Sequence, residues 1–121
     1  MPNQTILLVD DSPTDLKVMT QALSPRGYRL FTAADGEETL EKAATVRPDL
    51  IFLDVVLPKK NGFQVCRQLK TAPETKDIRI VLVTSKSQDS DRFWGLKQGA
   101  DEYLTKPFSE TELLAAAAKY L

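Results

Sequence analysis

Short apolar runs alternate along the chain with longer stretches in which apolar residues recur every three or four positions. The runs predict strands near Ile6 to Val9, Arg29 to Thr32, Leu50 to Leu53, Ile80 to Val83 and Glu102 to Leu104. A helical pattern fills each interval. The first helix places Leu16, Met19 and Leu23 on one face, and the second buries Leu40, Ala43 and Ala44 opposite an exposed Glu38 to Lys42 pair. The third carries Phe63, Val65, Cys66 and Leu69 inward, and the last two begin near Ser90 and Glu110. In the fourth, Phe93, Leu96 and Ala100 share a stripe expected in the core, with Trp94, Lys97 and Gln98 on the more polar side.

Strict alternation of five strands and five helices predicts an α/β fold, a doubly wound parallel sheet covered on both faces by right-handed crossovers. In such sheets ligands sit beyond the carboxyl ends of the strands, near the switch in strand order. The run Ile6 to Val9 ends on Asp10 and Asp11, and the run Leu50 to Leu53 ends on Asp54. Carboxylates crowded there repel by roughly 4 kcal/mol per pair at ~4 Å and an effective dielectric of ~20, so they call for cations. Oxygen donors of this hardness suit magnesium, or manganese in its place, with the Val56 backbone carbonyl as a further ligand.

Each acid also has a plainer reading. Asp10 and Asp11 could cap the first helix, but Ser12, Pro13 and Asp15 already supply an N-cap, a first-turn proline and an acidic analogue of the capping box. Asp54 could be a turn residue leading toward Pro58. The convergence of three acids at one crevice favours the metal reading. The strand ends beyond them add the Thr84 hydroxyl and the Lys106 ammonium, which with a metal describe an anion site. A carboxylate is already ionised at neutral pH, so it needs no general base to attack phosphorus, and positioning and charge neutralisation carry the step.

Composition narrows the chemistry. Histidine is absent from the 121 residues, which excludes Ser-His-Asp catalysis, histidine zinc ligands and a histidine phosphodonor role. Cys66 is the lone cysteine and reads as a core filler. A net charge of -1 leaves no electrostatic footprint for nucleic acid. No membrane span or signal peptide is visible, so a cytoplasmic location is expected. One domain covering residues 1–121 is expected, with output by surface contact because little chain follows the fifth helix.

Val9-Asp10-Asp11-Ser12, Asp54-Val-Val-Leu-Pro58 through Gly62, Thr84-Ser85 and Tyr103-Leu-Thr-Lys106-Pro107-Phe108 resemble the receiver domains of two-component response regulators, the CheY-like family. The resemblance implies a flavodoxin-like (βα)5 fold with strand order 2-1-3-4-5. It implies that Asp54 accepts phosphate from a histidine kinase of the CheA-like kind, that Asp10, Asp11, Asp54 and the Val56 carbonyl arrange magnesium, and that Thr84 and Lys106 hold the phosphoryl oxygens. Such a protein is a phospho-acceptor regulator, with self-catalysed phosphotransfer and autodephosphorylation rather than turnover of a separate substrate. Its switch would run through Thr84 and Tyr103 to the face made by the fourth helix, fifth strand and fifth helix, where Trp94 and Lys97 lie. The family often has a cis peptide at the position of Lys106 and Pro107.

The stretch Asp91 to Pro107 is similar to single-domain regulators of type IV pilus and related bacterial motility systems. That implies a downstream partner in motility, phototaxis or pilus control, no nucleic-acid or membrane partner, and a monomer that could dimerise on phosphorylation. Ser85, Val56 and Lys86 depart from the commonest residues around the site and bear on phosphoryl lifetime. A metal-dependent phosphohydrolase would want a second acid where Val56 stands, and a flavodoxin-like carrier a Ser/Thr/Gly-rich loop where Asp10 and Asp11 stand. The remaining alternatives are a binding module that works without phosphorylation and a phosphate sink for a kinase shared with another regulator.

Overall fold

The computed structural model describes residues 4–121. Among them, strands β1 (Thr5–Val9), β2 (Arg29–Ala33), β3 (Leu50–Leu53), β4 (Arg79–Thr84) and β5 (Glu102–Thr105) alternate with helices α1 (Pro13–Leu23), α2 (Gly36–Val46), α3 (Gly62–Thr71), α4 (Asp89–Lys97) and α5 (Glu110–Tyr120). The sheet order is β2-β1-β3-β4-β5, and every pairing is parallel. This is the doubly wound, flavodoxin-like arrangement expected from the sequence, with each strand within a residue or so of its expected bounds.

The period of two along each strand splits the core into two layers. Leu7, Val9, Ile51, Leu53, Ile80 and Leu82 face one side and meet Ala43 of α2 and Val65, Cys66 and Leu69 of α3. Ile6, Leu8, Leu50, Phe52, Val81 and Val83 face the other and meet Met19 and Leu23 of α1 and Leu113, Ala116 and Ala117 of α5. Burial on both faces is why the central strands read as unbroken apolar runs rather than as alternating ones. The alanine run of α5 packs through Ala116 and Ala117, small residues that let the helix lie close to the sheet. Cys66 is fully buried and burial pushes its thiol up to about 12, in keeping with a filler.

Helix starts follow local chemistry. Ser12, Asp35, Asn61 and Ser109 accept N–H bonds from Asp15, Glu38, Gln64 and Glu112 respectively, and the last two pairs are complete capping boxes. One expectation in α2 is corrected: Ala44 is exposed, and Thr39 lies inward with its hydroxyl donating to the Asp35 carbonyl at 2.7 Å. The buried line of α2 runs through Gly36, Thr39 and Ala43, three and four residues apart, and Ala44 falls outside it. Among the described residues, no helix is long and apolar enough to cross a membrane.

At the end of the sheet opposite the acids, Asp101 binds three elements together. Its carboxylate accepts the Ile80 N–H at 2.8 Å, the Lys70 ammonium at 3.0 Å and an Arg79 N–H at 3.3 Å. Burial pushes this carboxyl up, but those donors outweigh it and hold it below the usual carboxylate range. The stabilisation is therefore present above the unfolded-state value and is lost as pH falls through the lower folded one. Asp101→Asn is expected to lower stability at pH 7 by on the order of 1 kcal/mol. In urea unfolding the gap to wild type should close below about pH 4, and a gap that holds constant with pH would contradict this role.

Candidate functional site

The acids meet because β1 and β3 are neighbours whose register pairs Val9 with Leu53, so the next residues, Asp10 and Asp54, leave the sheet side by side. The strand pairing continues one step past each end: the Asp54 N–H donates to the Val9 carbonyl at 3.0 Å, and the Asp10 N–H to the Ala33 carbonyl at 3.1 Å. Asp10 and Asp54 are buried, Asp11 is exposed, and one carboxylate oxygen from each lies within 4.8 Å of the others. The Ser12 N–H donates to Asp10 Oδ1 at 3.0 Å and the Val56 N–H to Asp54 Oδ1 at 3.1 Å, which fixes both carboxylates and leaves each a second oxygen. Val56 itself is half exposed in the loop after β3.

Thr84 and Lys106 arrive from the far side of β3. Thr84 closes β4 with its side chain buried and its Oγ1 accepting the Lys86 N–H at 3.4 Å. The Lys106 N–H donates to the Thr84 carbonyl at 2.8 Å, and the following bond to Pro107 is cis. From there the Lys106 ammonium reaches Asp10 at 2.5 Å, Asp15 at 2.9 Å and Asp54 at 3.2 Å. Burial opposes its charge, but the carboxylates hold the ammonium above its ordinary value. The Asp10 carboxyl is pushed above the usual range, by burial first and by the neighbouring Asp54 charge, with Lys106 and the Ser12 N–H offsetting part.

Asp15 is the residue that sequence reasoning misplaced. Ser12 caps α1 as expected, but Asp15 does not complete a capping box: the Ser12 N–H goes to Asp10 and the Asp15 carboxylate bonds to Lys106. Its spacing from Ser12 gave a local reading, while its partner lies 91 residues away.

Tyr103, Trp94 and Lys97, the residues expected to carry output, lie apart from the acids. Tyr103 is buried, its hydroxyl donating to the Lys86 carbonyl at 2.6 Å and its own carbonyl accepting an Arg92 N–H at 2.9 Å. Burial, with Asp91 nearby, pushes its phenol up to about 12. Here α4 departs from the expected facing: Phe93 and Leu96 are 63% and 45% exposed, whereas Gln98 is buried and only Ala100 of the predicted stripe is inward. Gly95 is the reason. A Cβ there would stand 2.7 Å from Leu82 and 2.9 Å from the Tyr103 ring, so α4 turns its bare backbone to the sheet and its aromatic residues to solvent. Trp94 is 50% exposed, and the Lys97 ammonium stands 5.5 Å from the Phe93 ring centre.

Residues 6–118 match the family described as response regulator receiver domain. The chain is 43% identical over 109 residues to PilH of Pseudomonas aeruginosa, covering 90% of each chain. It covers only 46% of a longer relative, the transcriptional regulatory protein PhoP of Bacillus subtilis. Among solved structures it is similar to the chemotaxis response regulator CheY4 of Vibrio cholerae, with TM-score 0.92 and 32% identity over 99% of this chain and 100% of that one. The receiver domain of a sensor histidine kinase of Pseudomonas aeruginosa, with a magnesium ion coordinated in its active site cleft, gives TM-score 0.90 and 31% identity over 98% of each chain.

Gly62 keeps the loop after β3 folded against the acid. Its N–H donates to the Val55 carbonyl at 2.8 Å, and a Cβ on it would stand 2.2 Å from the Asp54 carbonyl oxygen. Because that neighbour is backbone, Gly62→Ala is expected to destabilise the fold by roughly 1–3 kcal/mol and to displace Asp54. Denaturant unfolding and amide chemical shifts of residues 54–62 check this, and an unperturbed variant would contradict the packing described.

Proposed function

The chain belongs to the response regulator receiver family, and from that premise we propose that Asp54 accepts a phosphoryl group from a histidine kinase in a magnesium-dependent step. The observation that carries this reading is the Lys106 ammonium bonded at once to Asp10 and Asp54, with Asp11 in reach of both. In the transfer, an Asp54 carboxylate oxygen forms the new bond to phosphorus as the donor's phosphorus–nitrogen bond breaks, its electron pair leaving with the imidazole. The Val56 N–H holds Asp54 Oδ1, so the reacting oxygen is Oδ2, which faces the Lys106 ammonium at 3.2 Å. Lys106 neutralises charge gathering on the phosphoryl oxygens, and Thr84 supplies a hydroxyl at the neighbouring strand end.

Hard carboxylate oxygens from Asp10, Asp11 and Asp54 fit magnesium or manganese, with the Val56 carbonyl as a further ligand. When bound, that ion supplies positive charge to the phosphoryl oxygens and offsets the repulsion among the acids. Within this reading the chain acts as a phospho-acceptor that also loses its own phosphate, not as an enzyme with a separate substrate.

Residues 1–121 then act as one cytoplasmic receiver domain whose phosphorylation state is read by contact. The signal passes from Thr84 through Tyr103 to the α4, β5 and α5 face, where Trp94 and Lys97 lie beside exposed Phe93 and Leu96. The likeness to PilH over most of both chains supports a partner in pilus or motility control, with a CheA-like kinase as donor.

Intact mass after incubation with a small acyl phosphate tests the central step. A single phosphoryl adduct that requires magnesium and is lost in Asp54→Asn is expected. No adduct in the wild-type chain would overturn the reading in favour of a binding module that works without phosphate.

A further inference from the structure

We infer that Asp15 is a positioning residue for the proposed phosphotransfer: it holds the Lys106 ammonium in the resting state and releases it when an anion bound at Asp54 claims the same donor. The inference rests on the phospho-receiver reading for the identity of that anion, and on geometry for the rest. An ammonium has three N–H donors and no more. All three are matched here by carboxylates, Asp10 at 2.5 Å, Asp15 at 2.9 Å and Asp54 at 3.2 Å. A phosphoryl oxygen beside Asp54 therefore competes for a donor already engaged.

Exposure decides which acceptor yields. The side chains of Asp10 and Asp54 are 2% and 9% exposed, and either one, deprived of its partner, would be a buried charge without compensation. The Asp15 side chain is 44% exposed and borders an open groove of about 380 Å³ with Val18, Pro107 and Phe108. Water can take the place of Lys106 there at little cost. Asp15 also lies in the first turn of α1, where the helix favours a carboxylate whether or not it is paired. The acid outside the metal cluster thus lowers the affinity for the incoming anion and ties the start of α1 to site occupancy.

The test is binding of beryllium trifluoride, a phosphoryl mimic, in the presence of magnesium, followed by amide chemical shifts. Asp15→Ala is expected to bind it about two- to fivefold more tightly than wild type, the range of an exposed ion pair. In a Lys106→Gln background the same change should have no effect, since the tether acts through the lysine. Equal or weaker binding by Asp15→Ala overturns the inference. So does a gain that persists in full without Lys106, which would be the acidic charge acting through space.

A second readout needs neither anion nor adduct. Exchange of the Lys106 ammonium protons with water should be faster in Asp15→Ala than in wild type, and unchanged exchange overturns the tether. This readout decides the matter where Lys106→Gln binds no mimic. Failure of the wild-type chain to take up either mimic or phosphate would instead count against the phospho-receiver reading, while the exchange measurement still judges the tether.

Discussion

One electrostatic constraint governs the site: parallel strands in register deliver carboxylates side by side, and such carboxylates need a cation. Asp10 and Asp54 are neighbours for the same reason that Val9 and Leu53 are, so the sheet leaves no freedom to separate them. Two like charges at ~4 Å repel by roughly 4 kcal/mol at an effective dielectric of ~20. Lys106 answers part of that demand, drawn from β5 across β4 to three acids at once. With Asp11 included, four carboxylates stand against a single ammonium, and negative charge is in excess at this edge of the sheet.

The surrounding backbone keeps that arrangement in place by close approach. Gly62 lets the loop after β3 fold onto the Asp54 carbonyl, and Gly36 lets the start of α2 rest on the same loop, where a Cβ would stand 2.4 Å from the Lys60 carbonyl oxygen. The Gly36 N–H donates to the Pro58 carbonyl at 3.2 Å, which joins the two loops. On the other flank, Gly95 makes room for the Tyr103 ring, and the Tyr103 hydroxyl bonds to the Lys86 carbonyl two residues past Thr84. A displacement at Thr84 thus has a short physical route to α4, through contacts rather than through distance.

Much of this was legible in the sequence because periodicity and capping are local. Strand ends place Asp10, Asp54, Thr84 and Lys106 at one edge, and the motifs around them resemble the receiver family that residues 6–118 match. What was missed depends on contacts between residues far apart in the chain. Phe93 and Leu96 fit a helical stripe, but which stripe faces the sheet was set by Gly95 against Tyr103. Asp15 fitted a capping box, but the Ser12 N–H is taken by Asp10 and the Asp15 carboxylate pairs with Lys106. Ala43 and Ala44 were both suitable for burial, but the buried line of α2 runs through Thr39 and Ala43 and leaves Ala44 exposed.

A divalent metal is expected to relieve the charge imbalance of the acidic cluster. Thermal unfolding with and without magnesium, for wild type and for Asp11→Asn, tests it most directly, because ligand bound only by the folded state raises its stability by mass action. A rise in Tm is expected for the wild-type chain, equivalent to ~1.4 kcal/mol at about ten times Kd, and a much smaller rise in the variant. A wild-type Tm indifferent to magnesium would contradict it.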